Sequence, residues 1–428
     1  MELSQTLDRT TEFGFTVVVV GVGYVGLRLC HEAALAGHHV IGLDIDTARI
    51  EAINRGVPPT DTITPADLTN LHERGFRATD DPAELDKAQV IVLCVPTPLR
   101  KGLPDLTALE AAARTVRDHL HPGTLVILES TTYPGTTEQL LSPILAESGL
   151  AIGTDVAVAY SPERIDPGNP KYSLRNTPKV IAGVTRTCST HAMAFYCTFV
   201  DDLVIAQNPR EAEMAKLLEN TYRHVNIALV NELSIICHDL GINVWKVIEL
   251  AATKPFGFQP FTPGPGVGGH CIPVDPTYLS ASVRTELGYP MRLVELAQEI
   301  NNHMPAYVVH RAQELLNTQR LPLNGARILL FGITYKPEVA DMRESPAIPI
   351  ARLLRNGNAT VEYHDRHISE WSVDGHTIPR AALPNPATHY DLGVLLQQHD
   401  SGTAWLLHTC NIVLDTRGCL HAASVVHL

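Results

Sequence analysis

The sequence predicts an α/β protein in which two Rossmann-like, doubly wound domains are joined by a long central helix. Three observations support this fold class. Short apolar runs alternate with amphipathic stretches, a glycine-rich turn directly follows the first apolar run, and one helical pattern continues from about residue 208 to about residue 241. Apolar runs of this length, bounded by turn residues, are typical of parallel strands that are buried on both faces.

The order of these patterns divides the chain into three predicted domains. The runs FTVVVV, HHVIGLDID, QVIVLCVP and TLVILES belong to a first α/β region, and ARILLFGITY begins a second one. Between them, Asn208, Pro209 and Glu211 suit the N-cap, first and capping-box positions of a long helix, and Gly241 suits its end. Two shorter helices in place of this one long helix are the alternative. We predict domains at residues 1–205, 206–318 and 319–428.

Composition excludes several classes of protein. Hydrophobic residues make up 45% of the 428 residues, charged residues make up 18%, and the formal net charge is −13. This acidity argues against nucleic-acid binding. Eight cysteines without a CxxC pair suit a reducing cytosol. The N-terminus has no signal-peptide pattern, and no apolar stretch is long enough to span a membrane. We therefore predict a cytoplasmic protein with neither a nucleic-acid nor a membrane partner.

The first apolar run leads into a dinucleotide-binding fingerprint, Gly21-Val22-Gly23-Tyr24-Val25-Gly26. Its three glycines allow the tight turn, the approach of backbone to a diphosphate, and close packing of helix on strand. Asp44 ends the next apolar run and can accept from both ribose hydroxyls, which favours NAD over NADP. The nearby Arg49 could pair with a 2′-phosphate, so NADP stays an alternative cofactor.

The segment PGPGVGGHCIPVD places Cys271 after several glycines, which leaves room for a substrate to reach the sulfur. A thiolate in such a loop is a candidate nucleophile. On the long helix, Lys216 and Asn220 are four residues apart and share one face, where they could stabilise an oxyanion. From spacing alone, a solvated lysine and a surface asparagine explain this pair better. The run His364-Asp365-Arg366-His367 has no zinc spacing, and we predict no metal site.

The chain resembles the UDP-glucose/GDP-mannose dehydrogenase family, the nucleotide-sugar dehydrogenases. The resemblance extends over nearly the whole chain and rests on blocks in the family's order, among them VVGVGYVGL, ESTTYPGTTE, YSPERIDPGNP, EMAKLLENTYRHVNIALVNEL, PFTPGPGVGGHCIPVDP, GITYKPEVADMRESP and VLDTRG. It implies an NAD-dependent four-electron oxidation at C6 of a UDP-sugar, through a thiohemiacetal and a thioester on the cysteine. It also implies a role in polysaccharide biosynthesis. The long helix suggests a subunit interface, and we predict a homodimer or a higher homo-oligomer.

The resemblance also implies roles for individual residues. The catalytic residues would be Cys271, Lys216, Asn220, Asp275, Glu163 and Thr131. The cofactor would contact Gly21, Gly23, Tyr24, Val25, Gly26, Asp44, Arg49, Val95, Pro96, Thr97, Ser130, Thr131, Arg343 and Arg417. The sugar nucleotide would contact Glu163, Arg164, Lys216, Asn220, Lys254, Phe261, Gly268 and Lys336. The middle domain would carry catalytic residues and the subunit interface, and the C-terminal domain would bind the nucleotide sugar.

The sequence departs from the pattern of the glucose-oxidising branch. Pro167 stands where that branch has a second glutamate, and Asp166 is a weak substitute for it. An arginine that glucose-oxidising relatives contribute to a neighbouring subunit's site is also missing from its expected position. Lys254 is the nearest cation in the sequence and is the candidate to replace it. The block SPERIDPGN favours UDP-N-acetylglucosamine as substrate, with UDP-glucose, UDP-N-acetylmannosamine and GDP-mannose as alternatives. Two other classes stay open: a single-step hydroxyacid dehydrogenase and an NAD-binding regulator without catalysis.

Overall fold

The computed structural model describes residues 14–60, 63–100, 102–166, 169, 171–269, 272–382, 388–399 and 402–428. The described residues fall into two compact units. The first unit comprises the chain up to Glu219 together with Thr277–Gly288, and the second comprises Asn220–Pro276 and Tyr289–Leu428. Since this clustering yields two units, our division into three domains stays a prediction.

The first unit is built on a large, mostly parallel sheet. Its strands are β1 Thr16–Val20, β2 His39–Leu43, β3 Arg77–Thr79, β4 Val90–Leu93, β5 Leu99–Arg100, β6 Leu103–Pro104, β7 Leu125–Leu128, β8 Ala157–Tyr160, β9 Lys179–Gly183 and β10 Leu203–Ile205. In the described part of the chain, eight of them pair in the order β10-β9-β8-β7-β4-β1-β2-β3, and β5 and β6 form a separate hairpin. The stretch β3-β2-β1-β4-β7-β8 is the strand order of a dinucleotide-binding fold.

Strands β1, β2, β4 and β7 correspond to the four predicted apolar runs of this region. Strands β4, β7 and β8 are buried along their whole length, because helices cover a doubly wound sheet on both faces. The helical elements of this unit are α1 Gly26–Leu35, α2 Thr47–Asn54, α3 Pro65–Glu73, α4 Thr107–Asp118, α5 Ser142–Ala146 and α6 Arg186–Tyr196, with a 3₁₀ turn at Pro82–Lys87 and a π turn at Thr137–Leu141. One pairing differs from the predicted parallel sheet, since β8 and β9 are antiparallel.

The predicted long helix is a single element, α7, which spans Pro209–Asp239. At 31 residues it extends for about 46 Å. The Asn208 side chain accepts from the N–H of Glu211 at 3.0 Å, as predicted for an N-cap. The carboxylate of Glu211 accepts from the N–H of Gln207 rather than from the N-cap N–H, so the capping box is shifted by one residue. Gly241 follows the helix with φ +68°, the left-handed conformation that ends many helices.

The second unit contains a smaller parallel sheet. Its strands are β11 Arg327–Phe331, β12 Thr360–His364, β13 Ser372–Val373, β14 His376–Thr377, β15 Tyr390–Leu395, β16 Cys410–Asp415 and β17 Val425–His427. Among the described residues, five of them pair in the order β12-β11-β15-β16-β17, and all these pairings are parallel. Leaving out the β13-β14 hairpin, this is the doubly wound order 2-1-3-4-5. The prediction of two Rossmann-like folds is confirmed.

The remaining helices are α8 Val244–Ala251, α9 Asp275–Leu287, α10 Arg292–Thr318, α11 Ala347–Asn356 and α12 Thr403–Thr409. Helix α11 begins directly after Ser345-Pro346, and the Ser345 hydroxyl accepts from the N–H of Ala347 at 3.2 Å. A search of the described helices finds none that is long and apolar enough to cross a membrane.

Candidate active site

The glycine turn after β1 has the geometry that a bound diphosphate needs. Gly21 has φ +94°, and a Cβ there would lie 2.7 Å from the carbonyl oxygen of Cys94. A Cβ at Gly26 would overlap the carbonyl oxygen of Gly21, whereas a Cβ at Gly23 would meet nothing within 4 Å. Two of the glycines are therefore required by packing. The third faces open space, where a ligand can approach the backbone.

The N-terminus of α1 is suited to an anion. No side chain caps it, and its first turn contains no acidic residue. Tyr24 and Val25 lead into this turn, and the carbonyl of Val25 accepts from the N–H of Leu29 within the helix. Uncapped N–H groups and the positive end of the helix dipole favour a phosphate at this position. These features fit the diphosphate of NAD.

Asp44 lies at the carboxyl end of β2, beside the glycine turn. It is buried, and its Oδ2 accepts from the N–H of Val22 at 2.9 Å. Arg49 donates to both carboxylate oxygens, at 3.0 and 2.9 Å. The aspartate is therefore positioned by the turn itself, and Arg49 occupies the same oxygens that a ribose would contact.

The segment after β4 is joined to the segment after β7 by side-chain hydroxyls. Ser130 donates to the carbonyl of Val95 at 2.7 Å, and Thr97 donates to the carbonyl of Thr131 at 2.8 Å. Pro96 is exposed between the two bonded residues. Parallel strands end at one edge of the sheet, so these predicted cofactor residues share the edge that carries the glycine turn.

Glu163, which follows β8, belongs to a buried charge network that the sequence did not reveal. Lys179 lies 2.9 Å from a carboxylate oxygen of Glu129 and 3.8 Å from one of Glu163. The phenol of Tyr196 donates to Glu129, and the Lys179 ammonium lies 4.9 Å from the centre of that ring. One carboxylate oxygen of Glu163 also accepts from the N–H of Ile165. Glu163 is thus held by its own turn and by a buried lysine.

Burial and charge act against each other in this network. Burial raises the pKa of Glu129, Lys179 opposes that shift, and the negative charge of Glu163 adds to it. For Lys179, burial favours the neutral amine, but the two carboxylates outweigh burial and raise its pKa. The lysine is therefore a permanent cation between two acids.

Lys216 and Arg164 contact the same part of the first unit. The Lys216 side chain is buried, and its ammonium donates to the carbonyl of Glu163 at 2.5 Å. Arg164 donates to the carbonyl of Pro178 at 2.7 Å and pairs with Glu219 at 2.8 Å. Lys216 is therefore a buried, hydrogen-bonded group and not the solvated lysine that spacing alone favoured.

In the second unit, Asn220 and Asp275 form a buried pair. The amide of Asn220 donates to the Asp275 carboxylate, and both side chains are less than a tenth exposed. Asp275 is the first residue of α9 and follows the glycine-rich segment. The structure thus brings these two predicted catalytic residues together, although they are 55 positions apart in the sequence.

The glycine-rich segment packs tightly against its neighbours. A Cβ at Gly268 would lie 2.7 Å from the Cβ of Tyr335, and the N–H of Gly269 donates to the carbonyl of Arg343 at 2.9 Å. Further back, the N–H of Gly264 donates to the buried side chain of Asn231, which in turn bonds Asn301. Cys271 lies outside the described residues, so its predicted role stays a prediction.

Other predicted ligand residues of the second unit are engaged within it. Arg343 pairs with Asp341, with contacts of 2.5 and 3.0 Å. The half-buried Arg417 donates to the carbonyl of Leu396 at 2.7 Å, and desolvation of its guanidinium lowers its pKa to about 10. The carbonyl of Lys336 accepts from the hydroxyl of Thr334 at 3.0 Å.

Lys254 and Phe261 lie in the segment between α8 and the glycines. The Lys254 ammonium is 5.1 Å from the ring centre of Phe256. Phe261 packs edge to face on Tyr222 and against a small apolar cluster. Pro167 lies outside the described residues, and the carboxylate of Asp166 accepts from the side-chain amide of Asn169 at 3.1 Å.

Sequence reasoning missed several residues that position the candidate site. Tyr278 is buried and donates to the carbonyls of Thr97 and Pro98, at 2.9 and 3.2 Å. Asn231 and Asn301 hold the glycine segment, as described above. The available signal was a set of polar residues on otherwise apolar helix faces, which is uncommon unless the polar groups are satisfied.

Three family models match the chain, and together they cover most of it. They describe the UDP-glucose/GDP-mannose dehydrogenase family: its NAD binding domain at residues 15–200, its central domain at 210–303 and its UDP binding domain at 329–422. The chain belongs to this family. It is accordingly an oxidoreductase of nucleotide sugars, and its cofactor is NAD, as predicted.

Individual relatives agree with this assignment. A UDP-N-acetyl-D-mannosamine dehydrogenase of Pyrococcus horikoshii is 38% identical over 356 residues, which cover 82% of this chain and 84% of that one. An NDP-N-acetyl-D-galactosaminuronic acid dehydrogenase of Ralstonia solanacearum is 36% identical over 431 residues, with coverages of 96% and 98%. The solved structure of the UDP-D-ManNAc dehydrogenase from P. horikoshii superposes with a TM-score of 0.87 at 33% identity, covering 96% of this chain and 98% of that one.

Proposed function

We propose that the protein oxidises the C6 hydroxymethyl group of a UDP-N-acetylhexosamine to a carboxylate, through a covalent intermediate on Cys271. The observation that carries the proposal is the match to the family's central domain, because Lys216, Asn220, Cys271 and Asp275 all lie within it. The relatives named above act on N-acetylated sugars, which supports an N-acetylhexosamine. UDP-N-acetylmannosamine is therefore the first substrate to test, beside the UDP-N-acetylglucosamine that the sequence favoured.

The proposed reaction has two oxidations and one hydrolysis. NAD, when bound, accepts the hydride in each oxidation. The Cys271 thiolate adds to the C6 aldehyde as a thiohemiacetal, whose C–H bond can then lose hydride to give a thioester. Water releases the carboxylate and the thiol. One alcohol, two NAD⁺ and one water thus give one carboxylate, two NADH and three protons.

The protein's polar groups supply charge stabilisation. The Lys216 ammonium has three protons and the Asn220 amide has two, so one hydrogen bond from each leaves further N–H bonds that can donate to an oxyanion. Burial of both side chains strengthens such contacts, since the local dielectric constant is low. Glu163, Thr131 and Asp275 are the proposed groups around the attacking water.

The same proposal includes the predicted homodimer. Five large apolar side chains of α7 are at least 41% exposed, which is unusual for one helix unless another surface covers it. They are Met214, Leu218, Tyr222, Leu229 and Ile236. Light scattering of the purified protein tests this part, and a monomeric mass at micromolar concentration would contradict it.

Counting NADH per sugar tests the reaction. UDP-N-acetylmannosamine, UDP-N-acetylglucosamine, UDP-glucose and GDP-mannose are each supplied in limiting amount with excess NAD. We expect two NADH per molecule of the preferred sugar, and we expect Cys271→Ser to abolish carboxylate formation. Cys197→Ser is the matched control, because Cys197 is an exposed free thiol.

Each alternative has its own outcome in this assay. One NADH per sugar would favour a single-step dehydrogenase. NAD binding without turnover of any sugar in the panel would favour a regulator. A Cys271→Ser protein that still forms two NADH at the native rate would exclude the covalent step.

A further inference from the structure

One carboxylate and two imidazoles meet at the carboxyl edge of the second unit's sheet. Glu338 lies in the loop after β11, His367 follows β12, and His399 follows β15. One ligand atom from each residue lies within 4.8 Å of the others. Strands β11 and β15 are the neighbours at which this strand order reverses, and the crevice at such a point is where doubly wound sheets bind ligands.

The spacing of the ligand atoms suits a tetrahedral zinc ion. Zinc–nitrogen and zinc–oxygen bonds of about 2.0–2.1 Å place tetrahedral ligand atoms about 3.3 Å apart. One carboxylate oxygen of Glu338 lies 3.5 Å from Nδ1 of His399, and the other lies 3.6 Å from Nε2 of His367. Two edges of the tetrahedron are therefore nearly formed, and only the distance between the imidazoles must shorten.

His399 is held in the tautomer that a metal requires. Its Nε2 lies 3.1 Å from a carboxylate oxygen of Asp365, which is buried, so this nitrogen carries the proton. The lone pair of Nδ1 accordingly faces Glu338, where it accepts from the backbone N–H at 3.2 Å. A carboxylate that holds the far nitrogen of a histidine ligand is a recurring feature of zinc sites.

His367 is positioned by the same aspartate. Asp365 accepts from the N–H of His367 at 2.8 Å, and the two imidazole rings pack edge to face with centres 5.0 Å apart. Among the described residues, Nε2 of His367 is one of the buried polar atoms that make no hydrogen bond. A buried nitrogen without such a bond is costly unless another ligand satisfies it.

Glu338 completes the cluster in a strained conformation. Its φ of +57° lies in the left-handed region, which few residues other than glycine adopt and which often marks functional sites. The Arg366 guanidinium lies 3.3 Å from one carboxylate oxygen and competes for it. A carboxylate has about four lone-pair sites, so it can keep this ion pair and still bind a cation.

We propose that Glu338, His367 and His399 bind Zn²⁺, with water at the fourth position. The ion would take the lone pair of His399 that the Glu338 N–H now uses, and it would fasten the loop of Lys336 to two strands of the sheet. This proposal departs from our prediction of no metal site, because the three residues come from separate stretches that show no metal-binding spacing. It does not depend on the proposed oxidation, which uses no metal.

Calorimetric titration of ZnCl₂ into untagged, full-length protein that has been treated with a chelator tests the proposal. We expect one zinc per chain. Glu338→Gln and His367→Ala should each weaken binding at least tenfold, and Asp365→Asn should weaken it about 10- to 100-fold. His376→Ala is the matched control, since His376 is an exposed histidine of the same unit, and it should bind as the wild type does.

Cobalt separates this site from the proposed nucleophile. Co²⁺ on imidazole and carboxylate lacks the intense near-ultraviolet band of a cobalt–thiolate bond. We expect Co²⁺ to bind Cys271→Ser as it binds the wild type, without that band. The proposal is overturned if the wild type binds no zinc, if Glu338→Gln and His367→Ala bind it as tightly as the wild type, or if Cys271→Ser abolishes binding.

Discussion

The two parallel sheets both end in buried carboxylates, but they satisfy them differently. In the first unit, Glu129 follows β7 and is neutralised by the ammonium of Lys179, and its second oxygen makes no hydrogen bond among the described residues. In the second unit, Asp415 ends β16 and accepts from four consecutive backbone N–H groups at 2.7–3.0 Å. The Glu129 carboxylate is held by two side chains, Lys179 and Tyr196, and the Asp415 carboxylate is held by a turn.

The pKa shifts follow this difference. Burial raises the pKa of Glu129, because the Lys179 ammonium and the Tyr196 phenol do not replace the lost water. Burial also acts on Asp365, at the end of β12, but hydrogen bonds from His399 and from the N–H groups of His367 and Ile333 outweigh it and lower its pKa. Hydrogen-bond donors and burial act in opposite directions on a buried carboxylate, and their balance decides whether its pKa falls, as at Asp365, or rises, as at Glu129.

This comparison has a functional consequence. Lys179 is shared between Glu129 and Glu163, and Glu163 is a proposed catalytic group. The charge state of one acid therefore affects the other. In the second unit, by contrast, hydrogen bonds lower the pKa of Asp365, which suits a group that holds loops or ligands in place.

The largest effect is expected from Lys179→Met, which removes the only side-chain cation that contacts the buried Glu129 in the described part of the chain. Breaking a buried ion pair at one partner typically costs about 3–5 kcal/mol. We expect the free energy of unfolding in urea to fall by about that amount. Replacing Glu129 as well, in Lys179→Met/Glu129→Gln, should recover part of the loss because no charge is then left unpaired.

A second measurement separates positioning from stability. Lys179→Arg keeps the charge, so it should retain most of the stability, and any change in the pH profile of NADH formation would report on Glu163. Lys171→Met, at an exposed lysine, should stay within about 0.5 kcal/mol of the wild type. A Lys179→Met protein as stable as this control would contradict the comparison.

The parts of the fold that were predictable from sequence depend on local patterns. The glycine turn, the aspartate at the end of the next strand and the continuous helix α7 each lie within about 30 residues of chain, and periodicity or spacing reveals them. The roles of the glycines are equally local, because a Cβ at Gly21 or Gly26 would overlap backbone atoms of the turn and its neighbour.

Features that need distant segments were not predictable. Lys179 is 50 positions from Glu129, and β9 joins the sheet in the antiparallel direction, which its apolar sequence does not encode. Likewise, the contact of Arg49 with Asp44 depends on side-chain rotamers, and the meeting of Glu338, His367 and His399 depends on strand order. These features are consequences of topology, which single-sequence patterns specify only weakly.

The buried Glu213 extends the comparison of buried carboxylates, because its contribution to folding stability should depend on pH. It lies buried near the N-terminus of α7 and accepts from the N–H groups of Gly135 and Thr137 and from the Thr137 hydroxyl. Burial outweighs these bonds and raises its pKa from 4.5 to about 7. The folded state therefore binds this proton more tightly than the unfolded state does, so its stabilisation is full below pH 4.5 and is lost as the pH rises through 7.

We expect the stability difference between the wild type and Glu213→Gln to fall by about 3 kcal/mol between pH 4.5 and pH 8. Urea titrations across this range measure it. Glu138→Gln is the control, because Glu138 is partly exposed beside Arg210 and its loss should cost less than about 1 kcal/mol at any pH. A pH-independent difference for Glu213→Gln would show that its donors, like those of Asp365, outweigh burial.

The smallest effect is expected at Asp415, whose replacement tests whether backbone N–H groups stabilise a buried carboxylate of the second unit. Its Oδ1 accepts from the N–H groups of Arg417 and Gly418, and its Oδ2 accepts from those of Cys419 and Leu420. In Asp415→Asn, the amide nitrogen replaces one oxygen and faces two N–H donors, which leaves those donors without an acceptor.

Unsatisfied buried donors cost about 1–3 kcal/mol, so we expect a loss of about 2 kcal/mol in the free energy of unfolding. The surface pair of Asp374 with Arg352 provides the control, and Asp374→Asn should cost less than about 1 kcal/mol. Equal losses in the two variants would mean that the turn does not hold the carboxylate as its four hydrogen bonds indicate. The contrast with Glu129 would then fail, because the four backbone donors around Asp415 would contribute no more to stability than a surface ion pair does.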